Sequence, residues 1–121
     1  MKNTIDSNNP SFVEFHFVGD QTYDTIMTTF SKFEDTIKKF HQPPTKLLVD
    51  LSQTGHPDSG ARIAGVESLK KLKYKKMALF TSSVYLKHIA NFVIIASGKQ
   101  HLTKVFDTRL SAINWLITKE G

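Results

Sequence analysis

One short stretch of this chain gathers the side chains that chemistry most often uses: Ser52, Thr54, His56, Asp58, Ser59, Gly60 and Arg62. A second hydroxyl-rich group, Thr81-Ser82-Ser83, follows some twenty residues later. Ser52, His56 and Asp58 supply the residue types of a hydrolytic triad. No Gly-x-Ser-x-Gly turn lifts a serine onto a strand-to-helix elbow, however, and the three crowd one loop, so a hydrolase is not the expectation. The free amides of Ser59, Gly60 and Ala61, with Arg62 beside them, could receive an anion at a helix start. The Asp58 carboxylate competes for the same amides, and capping is the better account of it, worth about 1 kcal/mol.

Other chemistries find less support. Histidines stand at 16, 41, 56, 88 and 101 with no i, i+4 ligand spacing, so no metal site is expected and each is read as a surface or hydrogen-bonded histidine. There is no cysteine, which excludes disulfides, thiolate catalysis and cysteine-bound zinc. Neither a Gly-x-Gly-x-x-Gly turn nor a Gly-Lys-Ser/Thr phosphate loop is present, and no nucleotide or other cofactor is predicted.

The elements that must position these residues follow from periodicity. Lys46 to Leu51 is almost continuously apolar, as in a central strand covered on both faces. Asp58 is placed to cap a helix running to about Leu72, with Ala61, Ala64, Gly65, Leu69 and Leu72 inward. Met77-Ala78-Leu79-Phe80 repeats the strand pattern and leads through Thr81-Ser83 into a helix over Val84 to Ser97, stopped at Gly98. On that helix Ile89, Phe92, Val93 and Ala96 form the expected inner face, leaving Ile94 and Ile95 as surplus for a pocket lip or a subunit contact.

Upstream, Lys2 to Asp6 and the Phe12–Val18 run read as a hairpin with Val13, Phe15 and Phe17 on one face and Glu14 and His16 on the other. Gly19-Asp20 is expected to break it. Tyr23, Ile26, Met27, Phe30, Phe33, Ile37 and Phe40 then mark the apolar face of a long helix, stopped at His41-Gln42-Pro43-Pro44. Phe30 and Phe33 are candidate cavity-lining residues if that face is not simply core. Leu102, Val105 and Phe106 give a last strand, and Asp107 or Thr108 caps a last helix through Leu110, Ala112, Ile113, Trp115, Leu116 and Ile117. The order ββαβαβαβα predicts an α/β fold, about four helices on a mixed, mostly parallel sheet. If the sheet is parallel, the two hydroxyl-rich turns leave from the same carboxyl edge.

At 121 residues with 40% hydrophobic and 22% charged side chains, a single domain over 1–121 is expected. Of the net charge of +5, Lys70, Lys71, Lys73, Lys75 and Lys76 supply much in one place. They read as a solvated helix end; with no aromatic-rich basic strand, nucleic acid is not an expected partner. The first residues lack a signal-peptide core and no run approaches the roughly 20 apolar residues of a membrane span, so a cytoplasmic protein is expected.

Three passages carry a family resemblance: Leu47 to Arg62, Lys76 to Phe80, and Val105-Phe106-Asp107-Thr108 with Ala112-Ile113-Asn114-Trp115-Leu116. Together they resemble the SpoIIAA-like branch of the STAS superfamily, whose description overlaps that of Sec14-type lipid-binding domains. The resemblance implies a small non-enzymatic regulatory module. It would engage a protein partner through the Ser52–Gly60 loop and the following helix, or carry a small apolar ligand or lipid between the first long helix and the sheet. Anti-sigma-factor antagonists are similar in topology and carry Asp-Ser-Ser-Gly in this loop, the second serine being phosphorylated. Asp58 and Ser59 match the first two positions, Gly60 falls on the acceptor, and a one-residue slip makes Ser59 the phosphoacceptor. Homodimer formation is expected from Ile94, Ile95 and the family analogy.

Overall fold

In the computed structural model, residues 3–38, 40 and 45–118 are described. Strands β1 (Thr4–Asp6) and β2 (Val13–His16) form the expected antiparallel pair, with Ile5 opposite Phe15. Strand β2 then lies parallel to β4 (Lys46–Asp50), which lies parallel to β6 (Lys76–Phe80), which lies parallel to β7 (Thr103–Phe106). The five-stranded sheet has the order β1-β2-β4-β6-β7.

Two further strands depart from expectation. Gly19-Asp20 does not simply end the hairpin, and the segment after β4 is not all loop. Gly19, at φ +79°, turns the chain into β3 (Gly19–Gln21), which runs parallel to β5 (Thr54–Pro57) as a separate two-stranded ribbon. The element order is therefore βββαββαβαβα. Gly19 N donates to Gln53 O at 2.9 Å, Asp58 N donates to Gln21 O at 3.1 Å, and Asp20 Oδ1 accepts from His56 N at 2.7 Å. Gly55 permits this approach, since a Cβ there would stand 2.3 Å from Asp20 Oδ1.

Helix α1 (Tyr23–Ile37) starts at a reciprocal cap, in which Thr22 accepts from Thr25 N and Thr25 Oγ1 accepts from Thr22 N. It ends before Phe40, and the expected His41–Pro44 stop lies outside the described residues, as does Lys2. Helices α2 (Ser59–Lys71), α3 (Val84–Ala96) and α4 (Arg109–Ile117) are capped by Asp58, Ser83 and Thr108. Gly98, at φ +73°, closes α3 in the left-handed conformation, with Lys99 N bonded back to Ile94 O.

Alternation along the strands divides the core. Val13, Phe15, Leu47, Val49 and Met77 face α1, α2 and α3, while Leu48, Ala78 and Phe80 face Ala112 and Leu116 of α4. The inner face of α3 differs from expectation: Leu86, Ala90 and Ile94 are buried, whereas Phe92 and Ala96 are exposed. Ile94 thus belongs to the core, and only Ile95 of the two surplus isoleucines is free for a contact. The period of 3.6 over a run of consecutive apolar residues admits more than one inward stripe, and α3 packs with this one inward against α2 and β7. The lysine cluster is also split. Lys70 and Lys71 lie in the last turn of α2, but Lys76 is buried, its Nζ donating to Trp115 O and Thr118 O at the end of α4. No helix among the described residues is long and apolar enough to cross a membrane.

Candidate functional site

The carboxyl ends of β4 and β6 lie side by side, with Asp50 opposite Phe80, so the two hydroxyl-rich turns leave from one edge as parallel topology requires. What they build there is three separate networks. Ser52 belongs to the α4 side: Asp50 Oδ1 accepts from Ser52 N at 2.8 Å and from Ser52 Oγ at 2.5 Å. The other Asp50 oxygen meets His16 Nδ1 at 3.0 Å, His16 Nε2 lies 3.5 Å from Glu14, and Arg109 grips Glu14 with two donors at 2.7 and 3.3 Å. The carboxylate stands between serine and imidazole, the reverse of what a nucleophilic triad needs. Hydrogen bonding to buried Glu14 holds the Arg109 guanidinium above its ordinary pKa.

Sequence spacing does not reveal this cluster, because Glu14 and His16 come from a different strand than Asp50. Their ligand atoms lie within 4.8 Å of one another. A cation there would have to displace Arg109 from Glu14, and alternation of β2 was the one signal that put Glu14 and His16 on a common face.

The second network fixes backbone. Asp58 Oδ1 accepts from Ala61 N at 2.8 Å, the expected cap of α2. Thr54 Oγ1 donates to Phe17 O, the buried Thr81 Oγ1 accepts from Ser83 N, and Ser83 Oγ accepts from Leu86 N. Ser82 is exposed. Ser59 is the first residue of α2, with its side chain exposed. Gly60 packs tightly: a Cβ there would meet Asp58 Oδ1 and Tyr23 Cβ, each at 3.3 Å. Tyr23 itself donates to Glu67 at 2.9 Å, and that carboxylate raises its phenol pKa.

The third network joins two of the expected residues through one that sequence reasoning missed. Tyr85, two residues beyond the α3 cap, stacks on His56 with ring centroids 6.0 Å apart and planes 9° from parallel. Its hydroxyl meets His56 Nδ1 at 3.2 Å and accepts from Arg62 Nη2 at 3.1 Å. Its position in the first turn of a helix leaving the same sheet edge was the available signal. Arg62 Nε, by contrast, is buried without a hydrogen-bond partner among the described residues, an arrangement that costs about 1–3 kcal/mol.

Arg62 also lines a cavity of about 110 Å³ between the sheet and helices α2 and α3. Phe30 and Ile26 reach it from α1, and the surface presented to it is almost wholly apolar, that of Arg62 included. Phe33 instead packs in the core against Phe15, at 5.0 Å between ring centroids.

A family model described as "Domain of unknown function (DUF7793)" matches residues 19–119. The chain belongs to this family. Comparison with curated proteins returns no match. Among solved structures, this DUF7793 chain is similar to an uncharacterised DUF3478-family protein with a SpoIIAA-like fold from Shewanella loihica PV-4, with a TM-score of 0.67 and 17% identity over 94% of this chain and 91% of that one. It is similar also to an anti-sigma factor antagonist from Mycobacterium paratuberculosis (TM-score 0.68, 13% identity, 97% and 94% covered) and to the anti-sigma factor antagonist SpoIIAA in its unphosphorylated form (0.65, 13%, 94% and 96%). The DUF7793 chain has the SpoIIAA-like, or STAS, fold that the three sequence passages led one to expect.

Proposed function

We propose that this chain is a non-catalytic regulatory module that engages a protein partner through the Ser52–Gly60 segment and the start of α2. The observation that carries the reading is a surface, built on the β3–β5 ribbon, on which exposed His56, Asp58 and Ser59 adjoin exposed apolar side chains of Ile63 and Tyr85. Apolar groups with a polar rim suit protein recognition, and the neighbours named anti-sigma factor antagonists are named for an effect on another protein. Phosphorylation of Ser59 is the control this surface suggests, since an added charge at a helix start alters both the dipole interaction and the repulsion from Asp58. Affinity capture with the wild-type chain and with His56→Ala/Ile63→Asp tests the reading. A partner retained by the first and lost by the second is expected; an identical set of captured proteins overturns it. Intact-mass analysis that never finds phosphate on Ser59, together with unchanged capture by Ser59→Asp, removes the phospho-control.

The cavity favours a second reading, carriage of a small apolar ligand. Native mass spectrometry after exposure to a lipid extract of the source cells is expected to show retained mass; the bare chain mass alone rejects it.

A further inference from the structure

Charge is segregated along the strand direction. Where the parallel strands end, segments 17–24, 50–59 and 107–108 carry Asp20, Asp24, Asp50, Asp58 and Asp107 and no lysine or arginine. Where they begin, segments 68–76 and 97–104 carry seven lysines and no acidic residue. The starts of β4, β6 and β7 lie side by side, with Lys46 opposite Lys76 and Lys104 opposite Ala78. Lys99 Nζ donates to Leu72 O, so the loops before β6 and β7 meet as well. Lys70, Lys71, Lys73, Lys75 and Lys104 are exposed, and neither they nor half-buried Lys46 form an ion pair among the described residues. Helix ends account for only part of this. A C-terminal dipole favours cations within the last turn, which covers Lys70 and Lys71, whereas Lys46, Lys73, Lys75 and Lys104 lie outside any helix.

Apolar groups stand in the same patch. Phe40 and Ile117 are 38% and 49% exposed and line one groove with Lys46. Trp115, half-buried near the end of α4, has the Lys76 and Lys104 Nζ atoms 4.8 and 5.8 Å from its ring. Both arginines are elsewhere, near the starts of α2 and α4. Lysine is a hydrated point charge, whereas bidentate phosphate recognition, as on nucleic acid, favours arginine. Lysines beside exposed aromatic and aliphatic side chains fit the headgroups and acyl boundary of an anionic bilayer. We infer that the amino edge docks on an anionic lipid bilayer, its lysines among the headgroups and Phe40, Ile117 and Trp115 toward the acyl boundary. Docking this way turns the Ser52–Gly60 surface away from the bilayer, because the two lie at opposite ends of the strands. That surface stays open to a protein partner, but docking needs no such partner.

The test is co-sedimentation of the whole chain with vesicles of equimolar phosphatidylglycerol and phosphatidylcholine and, separately, of phosphatidylcholine alone. Binding to the first only is expected, with a blue shift of emission from Trp115, the sole tryptophan. The chain should be released in about 1 M salt, where the screening length falls to about 3 Å. Near such a surface each lysine contributes about fivefold in affinity, so Lys73→Gln/Lys75→Gln should bind about 25-fold more weakly. Lys70→Gln/Lys71→Gln should lose as much and serves if the first variant does not fold. Lys32→Gln/Lys87→Gln removes the same charge away from the amino edge and should bind as wild type does. Binding to neither vesicle, equal binding to both, or equal loss in the charge-matched variants overturns the inference. Duplex DNA at matched phosphate concentration should leave the chain on the vesicles; release by the DNA overturns it too and assigns the lysines to nucleic acid.

Discussion

The Arg109–Glu14 pair sets how much a single contact contributes on the α4 side of the sheet. Glu14 is buried, but the Arg109 side chain is 53% exposed, so solvent screens part of the attraction. Hydrogen bonds to charged groups contribute about 1.5–3 kcal/mol, and after that discount Arg109→Ala is expected to cost about 1–2 kcal/mol in urea unfolding. Glu14→Gln should cost less than Arg109→Ala, because it leaves no unpaired carboxylate in the interior. At this scale residue types were legible and partnerships were not. Asp58 as a cap followed from the residues after it, whereas Ser52 with Asp50 and His56 with Tyr85 depend on which strand and helix ends meet in space.

Capping shows the same division among the elements. Every helix among the described residues opens on a side chain that accepts from a backbone amide, and all four, Thr22, Asp58, Ser83 and Thr108, were marked by short polar residues before an apolar period. Asp58→Ala should therefore cost about 1 kcal/mol. Asp58→Asn, which keeps the acceptor and drops the charge, should fall within a few tenths of wild type, as thermal melts of the two variants would show. A larger loss in the asparagine variant would mean that the charge, not the cap, is what α2 uses. The long central strands were legible because continuous apolar runs have few alternatives. The β3–β5 ribbon was not, since Gly19-Asp20-Gln21 and Thr54-Gly55-His56-Pro57 carry turn residues with weak strand preference. Their pairing is imposed by tertiary contacts, above all Asp20 accepting from His56 N across the Gly55 gap.

Across the whole molecule, the two ends of the parallel strands divide labour. The candidate site occupies the carboxyl edge, and the amino edge is a set of stabilising ties: Lys75 N donates to Thr45 O, Lys99 Nζ donates to Leu72 O and stands 5.2 Å over the Tyr74 ring, and Tyr74 Oη lies 2.6 Å from Thr103 Oγ1. Burial pushes the Tyr74 phenol above its ordinary pKa, with the Thr103 hydrogen bond acting weakly the other way. The neutral phenol is thus favoured in the folded chain. Its contribution is complete below the unfolded value of about 10 and is lost as pH rises through the higher folded value. Urea midpoints should accordingly fall above about pH 10. Tyr74→Phe should be less stable than wild type by about 1–3 kcal/mol near neutrality, because Thr103 loses its buried partner, and should show a flatter alkaline limb. A variant as stable as wild type would mean that the Tyr74–Thr103 contact adds nothing at the amino edge, and an unchanged alkaline limb would mean that the buried phenol is not what titrates there.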